Sequence, residues 1–514
     1  MLDEFLIITY VLVLCVVAVY GIHRYTLVYL YLKYKHDGYL PTGCFSVLPK
    51  VTVQLPMYNE DQVAERIIRA SCLIDYPLDR LEIQVLDDST DHSAEIARKT
   101  CEEMAAKGFP IRFIHRDNRV GFKAGALAEG MKQASGDYIA IFDADFLPPR
   151  DILHNVLDYF TDDKIGMVQV RWDHLNRDAS LLTKSQAIFL DGHFVIEHTA
   201  RNRSGRFMHF NGTAGVWRRT TIDDAGGWHH DTLTEDLDLS YRAQLKGWQF
   251  VYLPQFCAPA ELPPEMIGYK QQAHRWTKGS MQTCIKLLPR IMRSRLPLAV
   301  KTEAFFHLTN TVVYIGMVLL TILMYPCFLA FYSPFNHFSG TWGQYLFSGS
   351  LFILATCSAS TFFVFGQKEL LGNEAGWKTV FYMPILMALG VGISLNNFKA
   401  VCEAIWGAIH RKPSEFVRTP KYGTSGKYRG DVRAPSVFTL KRMSLPIIEI
   451  AFGCYMSCWV LTSAYYNFCI TAVPFLCIFA GGFFYVGFSS FHALYKMQQA
   501  NDAPVVPAVE VVTL

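Results

Sequence analysis

Tyr138-Ile139-Ala140-Ile141-Phe142-Asp143-Ala144-Asp145 is the stretch that decides the fold, because a continuous apolar run ends abruptly in two carboxylates. The run has the length and composition of a strand in a helix-covered sheet. Asp143 and Asp145 then follow the carboxyl end of that strand. In open α/β sheets, ligands bind beyond the carboxyl ends of the strands.

The same strand-then-helix pattern repeats over about residues 51 to 254. Further strands are predicted at 51–55, 81–86 and 111–114, and helices at 92–106, at 121–134 and in a segment ending near residue 72. This alternation predicts an α/β fold with a mostly parallel sheet. A second acidic pair, Asp87-Asp88, follows the strand 81–86, so we expect it at the same edge of the sheet.

Composition indicates a protein with both a globular domain and a membrane region. The chain has 514 residues, of which 51% are hydrophobic, and its net charge is only +3. No basic tract suggests binding to nucleic acid. The 13 cysteines show no C-x-x-C pair, which favours reduced thiols and a soluble part that faces a reducing compartment.

The first apolar run covers residues 5–21 and is followed by Arg24, Lys33 and Lys35. It is long for a signal-peptide core and has no positively charged segment before it, so we expect a retained transmembrane helix. Because positive charge favours the cytoplasmic side, the N-terminus is predicted outside and the following domain in the cytoplasm.

The C-terminal half contains further apolar runs at 304–335, 345–365, 380–395 and 445–494, the last dividing near residue 466. The loop after the first of these runs has no Lys or Arg, whereas segment 399–442 has ten. Two crossings between these loops satisfy the charge rule. The short run 380–395 is therefore assigned to an interfacial or re-entrant helix, which leaves five spans and a C-terminus inside.

A basic, partly apolar helix is predicted from about residue 265 to 295, and it suits the membrane surface. A solvated basic face is the alternative. The predicted organisation is an N-terminal helix and linker (1–44), the catalytic domain (45–262), interfacial helices (263–300), a membrane channel region (301–498) with the cytoplasmic loop 399–442, and a tail (499–514).

Asp143 and Asp145 form a D-x-D pair that can hold a hard divalent cation, Mg²⁺ or Mn²⁺, against a diphosphate. A lone D-x-D is more often a solvated turn or a helix cap. The second pair at Asp87 and Asp88 favours a site, because carboxylates that converge in one crevice are costly without a cation or ligand.

Two further segments carry polar groups that could act in such a site. Glu235 and Asp236 begin a helix, where a carboxylate could be a general base or simply an acidic helix start. Gly212, in Phe210-Asn-Gly-Thr213, suggests a close approach of the backbone to another group. A simple turn is the alternative.

Gln272-x-x-Arg275-Trp276 lies between the α/β region and the apolar runs. The Trp276 ring offers a face on which a sugar could stack, and the Arg275 guanidinium suits phosphate oxygens. The alternative is an ordinary amphipathic helix with one buried tryptophan.

Together, these motifs stand in the order found in processive family-2 glycosyltransferases. The chain resembles cellulose synthases, and more closely the cellulose-synthase-like A mannan and glucomannan synthases and their bacterial relatives. The resemblance is strong over residues 45 to 300. Further on, Phe416, Thr419 and Lys421 match the F-x-x-T-x-K gating loop of cellulose synthase.

The resemblance implies a GT-A type fold and an inverting transfer from UDP-glucose or GDP-mannose to a growing β-glycan, which leaves through the membrane spans. The resemblance also implies roles for individual residues. Asp87 and Asp88 would contact the nucleotide, Lys123 the donor, and Asp143 and Asp145 the metal–diphosphate. Asp236, beside Glu235, would accept the proton. The diphosphate and the acceptor would be bound by Gln272, Arg275, Trp276 and the segment Phe210, Gly212 and Thr213.

The chain also departs from cellulose synthases. It has one predicted span before the catalytic domain and no region that could form a cyclic-di-GMP-binding barrel. The alternatives are a non-processive enzyme that adds one sugar to a lipid, and a channel or scaffold with a degenerate enzyme domain. The membrane is expected to be a plasma or inner membrane, or that of the Golgi.

Overall fold

The catalytic region is built on one seven-stranded sheet. In the computed structural model, which describes residues 2–331, 357–410, 416, 418, 439–465 and 473–502, the strand order is β3-β2-β1-β4-β6-β5-β7. The strands are β1 (Val51–Met57), β2 (Leu81–Asp87), β3 (Ile111–His115), β4 (Tyr138–Ile141), β5 (Ile165–His174), β6 (Gly215–Arg218) and β7 (Gln249–Ala260).

The sheet is mostly parallel, as the strand-helix alternation predicts. β1 pairs in parallel with β2 and β4, and β2 with β3, whereas β6 runs antiparallel to both β4 and β5. Every residue of β1, β2 and β4 is buried, because helices cover both faces of this part of the sheet. The carboxyl ends of β1, β2 and β4 consequently share one edge.

Short helices cover the sheet. They are α2 (Ala64–Cys72), α3 (Ser93–Ala106), α4 (Phe122–Gln133), α5 (Ile152–Val156), α6 (Leu181–Asp191), α7 (Thr199–Arg203), α8 (Arg219–Asp224) and α9 (Glu235–Leu245), with a π-helical turn at Gly192–His198. On α2, Ile67 and Ile68 are fully buried. Each such side chain stabilises the fold by about 1.5–3 kcal/mol relative to an exposed one.

Longer helices make up the rest of the described chain. They are α1 (Leu2–Tyr34), α10 (Met266–Arg293), α11 (Leu298–Thr309), α12 (Val313–Phe331), α13 (357–371), α14 (Asn373–Gly392), α15 (Ser394–His410), α16 (Leu440–Tyr465) and α17 (Val473–Asp502). Among the described residues, five helical segments are long and apolar enough to cross a membrane: Leu2–Tyr34, Leu298–Cys327, Asn373–His410, Arg442–Tyr465 and Val473–Gln499.

The number of candidate spans equals the predicted number, but the set differs. The apolar run 380–395 is part of a longer helix that begins at Asn373 and continues, after a break at Ile393, into α15. Its full length makes Asn373–His410 a candidate span, whereas the short run indicated an interfacial helix. Most of the predicted span 345–365 lies outside the described residues.

Buried ion pairs join the α/β region to the membrane helices. Glu303 on α11 accepts hydrogen bonds from Arg201 on α7 at 2.9 Å and contacts His23 on α1 at 2.9 Å. Just after the end of α1, the partly exposed Lys35 contacts Glu369 on α13 at 3.0 Å. Because Arg201 and Glu303 are almost fully buried, breaking their pair would leave an uncompensated charge, which is strongly destabilising.

Candidate active site

A cleft at the strand-end edge brings together the D-x-D pair, the Thr-Glu-Asp helix start and the Q-x-x-R-W motif. Its lining residues are Lys123, Asp143, Asp145, Phe146, Trp172, His174, Leu190, Asn211, Gly212, Thr234, Glu235, Asp236, Ala260, Glu261, Leu262, Gln272, Arg275 and Trp276. Residues more than a hundred positions apart therefore meet at one site.

Lys123, in the first turn of α4, crosses the cleft to the D-x-D pair. Its ammonium group lies 2.6 Å from Asp143 Oδ1 and donates to the Gly212 carbonyl at 2.8 Å. Burial lowers the pKa of Lys123, but the charges of Asp143 and Glu235 outweigh burial, and the net shift is upward. The site therefore holds a fixed positive charge beside its carboxylates.

Gly212 occupies a position that no larger residue could take without a shift of its neighbours. Its φ is +83°, in the left-handed region, and an added Cβ would lie 3.0 Å from Asp236 Oδ2 and 3.3 Å from Lys123 Nζ. Glycine is the residue that adopts this backbone conformation at little cost. The loop thus places a backbone carbonyl against the Lys123 ammonium group.

Asp236 stands in the first turn of α9 with its carboxylate at the cleft. Its Oδ1 accepts the backbone N–H of Leu237 at 2.8 Å. Burial, followed by the neighbouring charge of Glu235, raises the pKa of Asp236 to about 7, although Lys123, the Leu237 N–H and Arg275 oppose that rise. A carboxylate with this pKa can accept a proton near neutral pH.

Helix α10 forms the opposite wall of the cleft with Gln272, Arg275 and Trp276. The half-buried Trp276 ring lies 6.5 Å, centre to centre, from Trp172 on β5. The Trp172 ring also packs edge-on against Phe146, next to the D-x-D pair, at 5.2 Å, so two indole rings line the cleft, with Arg275 one residue from Trp276.

Phe416, from the segment that resembles a gating loop, also reaches the cleft. Its ring stacks on Phe122 with centres 5.7 Å apart, and the Arg275 guanidinium lies 4.9 Å from its centre. Thr419 and Lys421, the other two residues of that motif, lie outside the described residues.

Asp87 and Asp88 do not line this cleft, in contrast to the convergence expected from the sequence. Strand β1 separates β2 from β4, so the two acidic pairs stand about 10 Å apart, two strand spacings. The Asp88 carboxylate binds the Arg116 guanidinium at 2.7 and 2.5 Å, and Asp87 accepts from Ser89 at 2.6 Å. The positive charge that the Asp88 carboxylate needs is therefore supplied by Arg116.

Phe210 and Thr213 lie behind the cleft rather than in it. The Phe210 ring is fully buried and packs edge-on against Trp217. The Thr213 hydroxyl accepts the backbone N–H of Asp143 at 2.9 Å. Both residues position their neighbours, and Gly212 is the residue of this motif that borders the cleft.

The motifs alone did not predict three residues that line the cleft, Trp172, His174 and Glu261, or the position of Arg116 beside Asp88. Trp172 and His174 alternate on β5, and a two-residue period places both on one face of a strand. The two-residue spacing in the sequence could therefore have indicated that Trp172 and His174 share a face. The contact between Arg116 and Asp88 could not be predicted in this way, because the sequence does not state which side chains meet across strands.

With this geometry, the comparisons with known proteins define the class of protein. Residues 49–279 match the family model described as "Glycosyltransferase like family 2". That region is a glycosyltransferase family 2 domain with a GT-A fold. The mannosyltransferase PcManGT from Pyrobaculum calidifontis, solved in complex with GDP-Man and Mn²⁺, has a similar fold, with a TM-score of 0.52 and 18% identity over 77% of this chain and 99% of that chain.

Curated relatives narrow the similarity further. The chain is 44% identical over 251 residues to glucomannan 4-beta-mannosyltransferase 7 of Arabidopsis thaliana, which covers 48% of this chain and 45% of that protein. It is 41% identical over 285 residues to probable glucomannan 4-beta-mannosyltransferase 4 of Oryza sativa subsp. japonica, covering 54% and 51%. The resemblance to cellulose-synthase-like A proteins is confirmed, and the chain spans about half the length of these relatives.

Proposed function

We propose that this protein is a membrane-embedded, inverting polysaccharide synthase that transfers mannosyl units from GDP-mannose to a growing β-linked glycan. The observation that carries the proposal is the single cleft in which Lys123, Asp143, Asp236 and Trp276 meet. The names of the curated relatives support mannose as the sugar and a 4-beta linkage. The choice of GDP-mannose over UDP-glucose rests on that similarity.

In the proposed reaction, the sugar end of the glycan rests against Trp276, and its hydroxyl faces Asp236. The hydroxyl oxygen forms a bond to C1 of the donor mannose while the bond from C1 to the diphosphate oxygen breaks. The hydroxyl proton passes to the Asp236 carboxylate, whose pKa of about 7 suits this task. Nucleoside diphosphate leaves, and C1 is inverted.

Lys123 and Arg275 stand where they can neutralise charge on the departing diphosphate. Both line the cleft, and both lower the pKa of Asp236, which supports a role for their charges at this carboxylate. Fixed cations that face developing negative charge are a major source of rate acceleration.

Asp143 and Asp145 are the residues that would hold Mg²⁺ or Mn²⁺. They fit such an ion because hard divalent cations bind carboxylate oxygens. Asp143 also already accepts a positive group at 2.6 Å, the ammonium of Lys123. When bound, the ion would neutralise charge on the diphosphate of the donor.

The distribution of charge supports a cytoplasmic catalytic domain in a multi-pass membrane protein. Segment 399–442 carries ten Lys or Arg residues, and such loops stay on the cytoplasmic side. The proposed membrane is a plasma or inner membrane, or that of the Golgi, and the helices around α10 would form the exit path for the glycan.

The proposal is tested by giving the purified, reconstituted protein radiolabelled GDP-mannose or UDP-glucose in parallel. We expect polymer from GDP-mannose that endo-β-1,4-mannanase degrades to short oligosaccharides. Asp236→Asn serves as the inactive control. Label confined to a lipid extract would indicate transfer of one sugar to a lipid, and label incorporated only from UDP-glucose would refute mannose as the sugar.

Removal of divalent metal tests the role of Asp143 and Asp145. Treatment with EDTA should abolish polymer formation, and added Mn²⁺ or Mg²⁺ should restore it. Undiminished synthesis after EDTA treatment would show that the cleft works without the ion.

A further inference from the structure

A second polar cluster lies behind the Asn211–Gly212 loop and outside the proposed reaction. It consists of His193 and His198, both on the π-helical turn, and His209, two residues before Asn211. One ring nitrogen from each histidine lies within 4.8 Å of the others. The ring centres are 4.4, 5.0 and 5.5 Å apart.

His198 is fully buried, and within the part of the chain that the structure describes its ring nitrogens have no polar neighbour in reach other than the Asn211 amide. The buried Nδ1 of His209 has no hydrogen-bond partner there. A neutral imidazole always carries one N–H donor and one acceptor, and leaving them unsatisfied in the interior costs free energy. A metal ion that accepts the lone pair of one nitrogen in each ring would lower this cost.

Burial lowers the pKa of both His198 and His209 well below the usual range. A buried histidine commonly shares a proton with a carboxylate. Of the three histidines, His193 alone has such a contact among the described residues, because its Nδ1 lies 2.9 Å from Glu197 Oε2.

Two carboxylates and two guanidinium groups surround the cluster. Glu197 and Glu303 each carry one negative charge, and the Arg201 guanidinium between them lies 3.3 and 2.9 Å from their oxygens. The charge of Arg24 also acts on Glu197, so these four charges cancel. The contact between His193 and Glu197 also has the form seen at metal sites, where a carboxylate orients the ligating ring.

The three ring nitrogens, which lie within 4.8 Å of one another, are close enough to bind one ion. Zn²⁺–N bonds of about 2.0–2.1 Å would draw them together to about 3.4 Å. Asn211 could complete the site, because its Nδ2 lies 3.1 Å from His193 Nε2 and 3.2 Å from His209 Nε2. Its buried Oδ1 has no partner among the described residues, and a half-turn of the amide would exchange the two atoms.

We propose that His193, His198 and His209, with Asn211 as the fourth ligand, bind one divalent ion of the zinc class. This ion would differ from the one held by the D-x-D pair, because nitrogen ligands select borderline metals whereas carboxylates select Mg²⁺ and Mn²⁺. It would fix the Asn211–Gly212 loop from behind, and thereby the carbonyl that receives Lys123.

A second cluster of possible ligands within the described chain provides a natural control. His229, Asp231 and Asp238 also lie within reach of one another. Asp238, however, already binds Arg242 at 2.7 Å and Lys286 at 2.9 Å, and Asp231 binds Lys286 at 2.7 Å. These ammonium and guanidinium groups take the place of a metal, so His229→Gln should not change the metal content.

The test is elemental analysis of the full-length protein, purified through a tag without histidine. We expect about one zinc-class ion per chain in the wild type and in His229→Gln, and at least a tenfold lower content in His198→Gln/His209→Gln. Equal content in all three proteins, or a wild type without such an ion even after incubation with Zn²⁺, would overturn the proposal.

X-ray absorption at the zinc edge needs no variant and therefore covers the case in which the double variant fails to fold. We expect a signal from about three imidazole ligands and one oxygen ligand. A signal from oxygen ligands alone would assign the zinc to the carboxylate cleft and refute the histidine site. Both measurements are independent of the choice of sugar donor, so failure of the proposed function would leave their results unchanged.

Discussion

The two halves of the cleft are held in place by different parts of the molecule. The strand-end half, consisting of Asp143, Lys123 and Gly212, is tied together within the catalytic domain by contacts of 2.6 and 2.8 Å. The α10 half, consisting of Gln272, Arg275 and Trp276, offers mainly ring faces and one guanidinium. Its helix is bound to the catalytic domain farther along, where Lys286 contacts Asp238 on α9 at 2.9 Å, and also to membrane helices.

The attachment of α10 is specific and buried. Lys270, one turn before Arg275, lies 2.7 Å from Glu449 on α16, and Glu449 is fully buried. Two turns further along α10, Lys278 contacts Glu403 on α15 at 3.1 Å. Helix α10 therefore connects the cleft directly to the membrane helices, which suits a site that must pass its product into the membrane.

The largest effect is expected from Asp236→Asn, which removes the proton acceptor where the two halves meet. Polymer formation should fall about a hundredfold or more, because a positioned base contributes at least that much. Binding of the nucleotide sugar should persist. The matched control is Asp163→Asn, whose side chain is fully exposed. Near-normal turnover in Asp236→Asn would remove this residue from the reaction.

Separation of α10 from the membrane helices should also have a large effect. Lys270→Met leaves Glu449 buried without its partner, which should cost about 3 kcal/mol or more of unfolding free energy. Adding Glu449→Gln should recover most of this loss. Thermal unfolding in detergent measures both effects, with the exposed Lys99→Met as control. An unchanged melting temperature in Lys270→Met would show that this pair does not anchor α10.

A smaller effect is expected on the pH dependence. Because Asp236 must be deprotonated to accept a proton, transfer should rise with pH through about 7. Glu235→Gln removes the neighbouring negative charge, so the pKa of Asp236 should fall and the acidic limb should move to lower pH. Glu102→Gln, on an exposed face, should leave it in place. A limb that stays fixed, or moves upward, in Glu235→Gln would contradict this cause of the shift.

Much of the strand-end half could be predicted from the sequence. The apolar run before Asp143 indicates a buried strand, and parallel strands bring their carboxyl ends to one edge. What the sequence could not state is which charges cross between strands. The Arg116 that neutralises Asp88 follows β3 and meets it only through the pairing of β2 with β3.

The sequence motif of the α10 half could be recognised, but the contacts that its residues make could not be predicted. Gln272, Arg275 and Trp276 lie at helical spacing, yet Trp172, which faces Trp276, belongs to a distant strand. The contact between Phe416 and Arg275 likewise depends on how a membrane loop returns to the cleft. Helix α14 shows the same limit, because the apolar run 380–395 conceals a helix that begins at Asn373.

From the division between the halves we expect the α10 half to govern transfer to the glycan and the strand-end half to govern use of the donor. The most direct measurement is the ratio of mannose in polymer to free mannose released from GDP-mannose by Trp276→Ala. Trp377→Ala is the control, since that ring is 74% exposed on α14.

We expect Trp276→Ala to release free mannose at nearly the wild-type rate while its polymer yield falls about tenfold or more, because a displaced acceptor loses its alignment with the base. Its melting temperature should stay close to that of the control. A wild-type ratio, or a parallel loss of polymer, hydrolysis and thermal stability, would contradict the account.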